Sequence, residues 1–142
     1  MAAETLDYTS GPAKGPTGGG NVVTRIRERT LQAIASANDV YQMIKVPLGG
    51  KIIDGWLKMY SSGAYTVTVG DGGSTARFVP SCSVSGTATF IRFGALAGGK
   101  NTIPYTYAAE DTIDIKTTAV PASTAGLILT LCVKYITEDQ NA

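Results

Sequence analysis

Apolar residues recur at every second position in one segment after another, and that period decides what this chain can fold into. In 126–136, Leu127, Leu129, Leu131, Val133 and Tyr135 alternate with Ile128, Thr130, Cys132, Lys134 and Ile136. In 64–70, Tyr65, Val67 and Val69 alternate with Thr66 and Thr68. Side chains on a strand point to opposite faces in turn, so both segments predict strands with one face in a core. Ile128, Cys132 and Ile136 on the second face of the last segment predict that it is covered on both sides.

The same period predicts strands at 40–46, ending at Pro47, and at 51–60. In the second of these Ile53, Gly55, Leu57 and Met59 face one way and Ile52, Asp54, Trp56, Lys58 and Tyr60 the other. Shorter strands are expected at 75–79, 87–93 and 102–107, and at 111–117, where Ile113 and Ile115 share a face. Gly, Pro, Asp and Ser punctuate these segments, as in Asp71-Gly72-Gly73, and 17 glycines make turns a prominent theme. About eight or nine short strands without βαβ alternation indicate an antiparallel sandwich or closed barrel. Connections of widely varying length favour a jelly-roll-like β-sandwich. For 22–35 two readings stand: a strand over 22–30 with Val23, Arg25, Arg27 and Arg29 on one face, or a helix over 24–35 grouping Ile26, Thr30 and Ile34.

The 142 residues suit one domain. Residues 1–21 read as an extended Gly/Pro-rich N-terminal arm, 22–138 as the β-sandwich and 139–142 as a C-terminal tail. The arm holds few side chains able to fill a core, and at about 3.3 Å per residue it can reach tens of ångströms across a neighbour. Its one cation is Lys14.

Histidine is absent. That removes Ser-His-Asp, Cys-His and His-ligated metal chemistry, since each needs an imidazole as base or ligand. Gly94, Gly99 and Lys100 stand at phosphate-loop positions, but Asn101 occupies the place of the Mg²⁺-binding hydroxyl and Pro104 follows where a helix is required. Asp71 reads as a hydrogen-bonded turn residue rather than a Ca²⁺ ligand, because no acidic residues alternate with it. Glu110 and Asp111 are adjacent and so point apart on a strand. Cys82 and Cys132 have no CxxC partners and read as reduced core thiols. No enzyme activity and no cofactor are expected. A net charge of +1 provides no strong field for nucleic acid, and no apolar run approaches the ~20 residues of a membrane helix.

Two residue groups remain as contact candidates. Arg25, Arg27 and Arg29 form a basic row on one strand face, able to meet carboxylates of a neighbouring subunit or to serve as a solvated edge that discourages aggregation. Tyr105 and Tyr107 share a face beside Pro104 and are the aromatics expected to meet a partner, a glycan among the alternatives.

The stretch TRIRERTLQAIASANDVYQMIKVPLGGKIIDGWLKM, followed by YTVTVGDGG, YTYAAEDTIDIKTT and GLILTLCVKYIT, resembles small structural proteins of tailed-phage virions, of the type that decorates or cements capsids. The resemblance spans most of 22–137 and carries no catalytic motif. It implies a β-sandwich assembled in the host cytoplasm onto the exterior of the capsid. The major capsid protein would be its partner, and copies of itself would form a homotrimer. Lys14, Arg25, Arg27, Arg29, Tyr105 and Tyr107 are then the expected interface residues. A tail or tail-tip protein and a carbohydrate-binding module are the alternative readings.

Overall fold

A computed structural model describes residues 21–31, 37–95, 103–121 and 125–137. Residues 1–20 of the arm, with Lys14, the phosphate-loop-like residues 96–102 and the C-terminal tail lie outside the described residues, while Asn21 belongs to the first strand.

Nine strands are present among the described residues, and no helix: β1 (Asn21–Leu31), β2 (Val40–Val46), β3 (Lys51–Tyr60), β4 (Tyr65–Gly70), β5 (Val79–Val84), β6 (Thr89–Arg92), β7 (Tyr105–Thr106), β8 (Asp111–Ala119) and β9 (Leu127–Thr137). They form two antiparallel sheets, one ordered β1-β9-β3-β6 with β7 also on β3, the other β2-β8-β4-β5. The chain crosses between sheets at β1–β2, β2–β3, β3–β4, β5–β6, β7–β8 and β8–β9. First and last strands therefore lie side by side. This is a jelly-roll β-sandwich, as the strand pattern indicated.

The core is what the period-two residues supply. Leu127, Leu129, Leu131 and Val133 of β9 are fully enclosed, and Ile113 and Ile115 of β8 and Val67 and Val69 of β4 meet them from the other sheet. β9 sits between β1 and β3, so its inner residues receive cover from both neighbours. On its outer face Cys132 is buried, Ile136 half-buried and Ile128 exposed, so the expected two-sided cover holds at Cys132, is partial at Ile136 and fails at Ile128. Cys82 and Cys132 are free, buried thiols in different sheets.

Three local expectations need correction. Ile52 is buried together with Gly55, Leu57 and Met59, not with the outer set, because a bulge between Ile52 and Asp54 shifts the register against β9. One inserted residue reverses the alternation from that point on. Residues 75–78 are turn and bend, and the strand lies later, at Val79–Val84. Pro80 hides that strand in the sequence, yet it is tolerated because β5 is an edge of its sheet. The expected strand at 102–107 is reduced to Tyr105–Thr106. Residues 21–31 are strand rather than helix.

Gly55 illustrates a close approach: a Cβ there would run into the ring of Phe93, which stacks on Phe78 at 4.9 Å. Any side chain at 55 would displace that aromatic pair from the end of the core.

Candidate subunit interface

β1 joins β9 along its whole length with no shift of register, pairing Arg25 with Val133, Arg27 with Leu131 and Arg29 with Leu129. Residues directly opposite on antiparallel strands share a face. The three arginines thus project from the inner side of the sheet, on the face that β9 fills with apolar side chains. They stay solvent-exposed because β1 is the end strand and overhangs the mouth of the sandwich. Arg29 places its guanidinium 5.1 Å from the centre of the Tyr41 ring on β2, the end strand of the opposite sheet. Beside it the two edges leave a cleft of about 560 Å³, lined by Arg25, Arg27, Met43, Lys45, Glu110 and Tyr135 among others. Lys45 lies 3.3 Å from Glu110, both well exposed, so the pair adds little stability. Glu110 is thereby a surface ion-pair partner, while Asp111 accepts the Thr112 N–H at 2.7 Å. The two carboxylates do not flank a common point.

The outer faces of the sheets differ in chemistry. Across β2-β8-β4-β5 the outward residues include Thr66, Ser83, Thr112 and Thr118, with Thr66 and Ser83 hydroxyls 2.9 Å apart. Across β1-β9-β3-β6 the outward residues include exposed Val22, Ile26, Ile128, Tyr60 and Phe90, interleaved with Thr24, Glu28, Lys58, Arg92 and Lys134, and Ile26 is 63% and Phe90 57% exposed. Half-buried Trp56 tilts against Phe90 with ring centres 5.3 Å apart, beside an Asp54–Arg92 contact of 2.7 Å. Strand order assembles this surface: Ile26, Cys132, Trp56 and Arg92 form one cross-strand row. Exposed apolar and aromatic side chains set among charged ones on one face are the composition of an association surface.

Tyr105 and Tyr107 do come together, edge to face at 4.9 Å. Their setting departs from the expectation, because Tyr107 is buried in its own chain and its hydroxyl donates to Asp71 Oδ2 at 2.7 Å. Tyr105 is half-buried under the Arg77 guanidinium, 4.1 Å from its ring centre. Both rings serve a buried polar cluster, which leaves Tyr107 no surface to offer a partner. Asp71 is its hub and is fully enclosed. It accepts Arg77 Nε at 2.6 Å, Arg77 Nη2 at 3.2 Å, and the N–H groups of Gly73 at 3.0 Å and Ser74 at 2.9 Å.

Burial pushes the Asp71 carboxyl upward, but the hydrogen bonds from Arg77, Tyr107 and Ser74, with the Arg77 charge, outweigh it and hold the group below its ordinary value. Tyr107 moves strongly upward, through burial and then its bond to Asp71. The cluster is a satisfied ion pair that fastens the β4–β5 connection to the segment entering β8. The turn role of Asp71 was readable from Asp-Gly-Gly. The part played by Arg77 was missed, and nothing in the sequence marks Tyr107, 36 positions away, as a third member. No group of three or more His, Cys, Asp or Glu able to hold a metal occurs among the described residues.

No protein-family model matches this sequence, and no curated protein sequence is similar to it. Among solved structures, a chain of the cyanophage Pam1 capsid asymmetric unit superposes with a TM-score of 0.67 at 18% identity, covering 96% of this chain and 99% of that one. A chain of the capsid of Ralstonia phage GP4 superposes with a TM-score of 0.66 at 17% identity, covering 89% and 91%. At such identities the likeness establishes a shared fold.

Proposed function

We propose that this chain is a non-enzymatic structural protein of a phage virion that binds the exterior of the capsid shell and stabilises it. The observation that carries this reading is the correspondence of nearly the whole chain, end to end, with single chains of two phage capsids. A cementing protein needs no reacting groups; it needs a rigid body and surfaces that bury area against neighbours. The jelly roll supplies the body. The outer face of β1-β9-β3-β6, where exposed apolar and charged residues are interleaved, and the basic mouth between β1 and β2 supply two surfaces of different chemistry. The major capsid protein is the partner in this reading, with further copies of the chain arranged as a trimer. Arg25, Arg27 and Arg29 are contact residues, and the Gly/Pro-rich arm with Lys14 reaches across a neighbouring subunit.

Capsids assembled with the full chain, or with a form lacking residues 2–20, test the reading. The full chain is expected on the capsid exterior, and the truncated form, with an unchanged far-ultraviolet spectrum, is expected to be depleted there by about tenfold or more. Equal occupancy by both forms removes the arm from the interface. Label confined to the tails of intact virions overturns capsid decoration itself.

A further inference from the structure

We propose that β1 accepts an extended acidic segment of a different polypeptide as an added strand, with carboxylates on alternate residues set against Arg25 and Arg27. The inference rests on reading this edge as a contact surface and adds the chemistry of the partner.

Four observations support it. First, β1 is 11 residues long and pairs only with β9, so along its other side its backbone N–H and C=O groups have no strand partner among the described residues. Proteins blunt such an edge with Pro, a bulge, short length or charged side chains. β1 has only the last: its register runs unbroken, whereas β2–β8, β3–β9 and β4–β5 all carry irregularities, and its arginine row opposes a like-charged strand while favouring an acidic one. Secondly, the cleft beside β1 leaves about 560 Å³ beneath the position that an added strand would take. Thirdly, Lys45 lies against Glu110 and Arg29 against Tyr41, while Arg25 and Arg27 have no ion-pair partner among the described residues. Alternate residues of a strand repeat at about 6.7 Å, so carboxylates two positions apart match arginines two positions apart. Fourthly, the outer side of β1 shows Val22, Thr24, Ile26, Glu28 and Thr30, whose one charge is acidic. It calls for apolar rather than acidic residues at the intervening positions.

The occupant is not another copy of this chain. Pairing β1 with a second β1 sets arginine rows side by side, which like charges oppose. The chain's terminal acids also miss the pattern: Glu4 and Asp7 are three apart, and Glu138 and Asp139 are adjacent, so on a strand each pair points to opposite faces.

The test uses the purified full chain and a labelled peptide alternating Glu with Val, read by fluorescence anisotropy. Binding is expected for the Glu/Val peptide and not for its Lys/Val counterpart. N-methylation of alternate backbone amides on the pairing side should abolish it. Arg25→Glu with Arg27→Glu should weaken binding by about tenfold or more and transfer it to the Lys/Val peptide. Arg25→Gln with Arg27→Gln, less perturbing to the fold, should weaken the first without gaining the second. Equal binding of both peptides, indifference to N-methylation, or no binding at millimolar peptide overturns the proposal. If the chain still occupies capsids normally after such a result, only this inference fails and the capsid reading stands.

Discussion

Asp71→Ala is expected to lower unfolding stability by about 3–5 kcal/mol, measured by urea denaturation at neutral pH, because it removes a fully buried carboxylate that a half-buried guanidinium and three other donors share. Arg77 points two nitrogens at the lost carboxylate, and the Tyr107 hydroxyl and the Gly73 and Ser74 amides lose the same acceptor. The Arg77 side chain is only 20% exposed, so water replaces few of those partners. Tyr107→Phe removes one donor and leaves the pair intact, so a smaller loss is expected, about 1.5–3 kcal/mol for a hydrogen bond to a charged group. Similar losses for the two variants would show that the ion pair adds little beyond the tyrosine bond.

The same cluster has a pH signature. Asp71 is held below its ordinary value of 3.8, so folding favours its ionised form. That contribution is fully present above the unfolded value and is lost as pH falls through the folded one. Asp114 is shifted upward, by burial first, so it acts with the opposite slope. Below about pH 4 the protein should therefore lose stability with a steepness that Asp71→Ala reduces. An unchanged acid limb in the variant would remove Asp71 from the titration.

Leu131→Ala is expected to cost about 2–5 kcal/mol by the same assay. Leu131 is fully buried on the inner face of the strand that binds its sheet together, between Leu57 on β3 and Arg27 on β1. A cavity there is flanked by hydrogen-bonded strands on both sides, which limits how far the surroundings can close around it. A loss below about 1 kcal/mol would mean that the two sheets slide together easily. Ile128→Ala, three residues earlier on the exposed face, should stay within about 0.5 kcal/mol in the isolated protein.

The contrast between these two β9 positions shows how far residue patterns carry. Alternation separates Leu131 from Ile128 in sequence, and the strand keeps that separation. Whether the Ile128 face is covered depends on which element lies above it, and no residue of β9 encodes that. In β3 the alternation itself was misread, because the bulge at Ile52–Asp54 is a feature of pairing with β9 and leaves no mark in the β3 residues. The strand expected at 75–79 stopped short of Pro80, which instead sits in an edge strand, where its missing N–H costs no sheet bond. For the candidate interface, the spacing of Arg25, Arg27 and Arg29 was enough to put them on one face. Their place over an open mouth followed only from β1 ending its sheet. Tyr105 and Tyr107 were grouped correctly, yet the buried carboxylate that turns Tyr107 inward comes from a distant turn.

Read alone, the residues establish strands, their apolar faces, the missing imidazole chemistry and the basic row, because each is a property of side chains close together along the chain. Strand order, the mixed apolar and charged outer sheet face, the cleft and the Asp71 cluster came from the folded molecule. Sheet pairing uses backbone groups that every residue but proline carries alike, so the choice of neighbours is made by the packing of the whole sandwich.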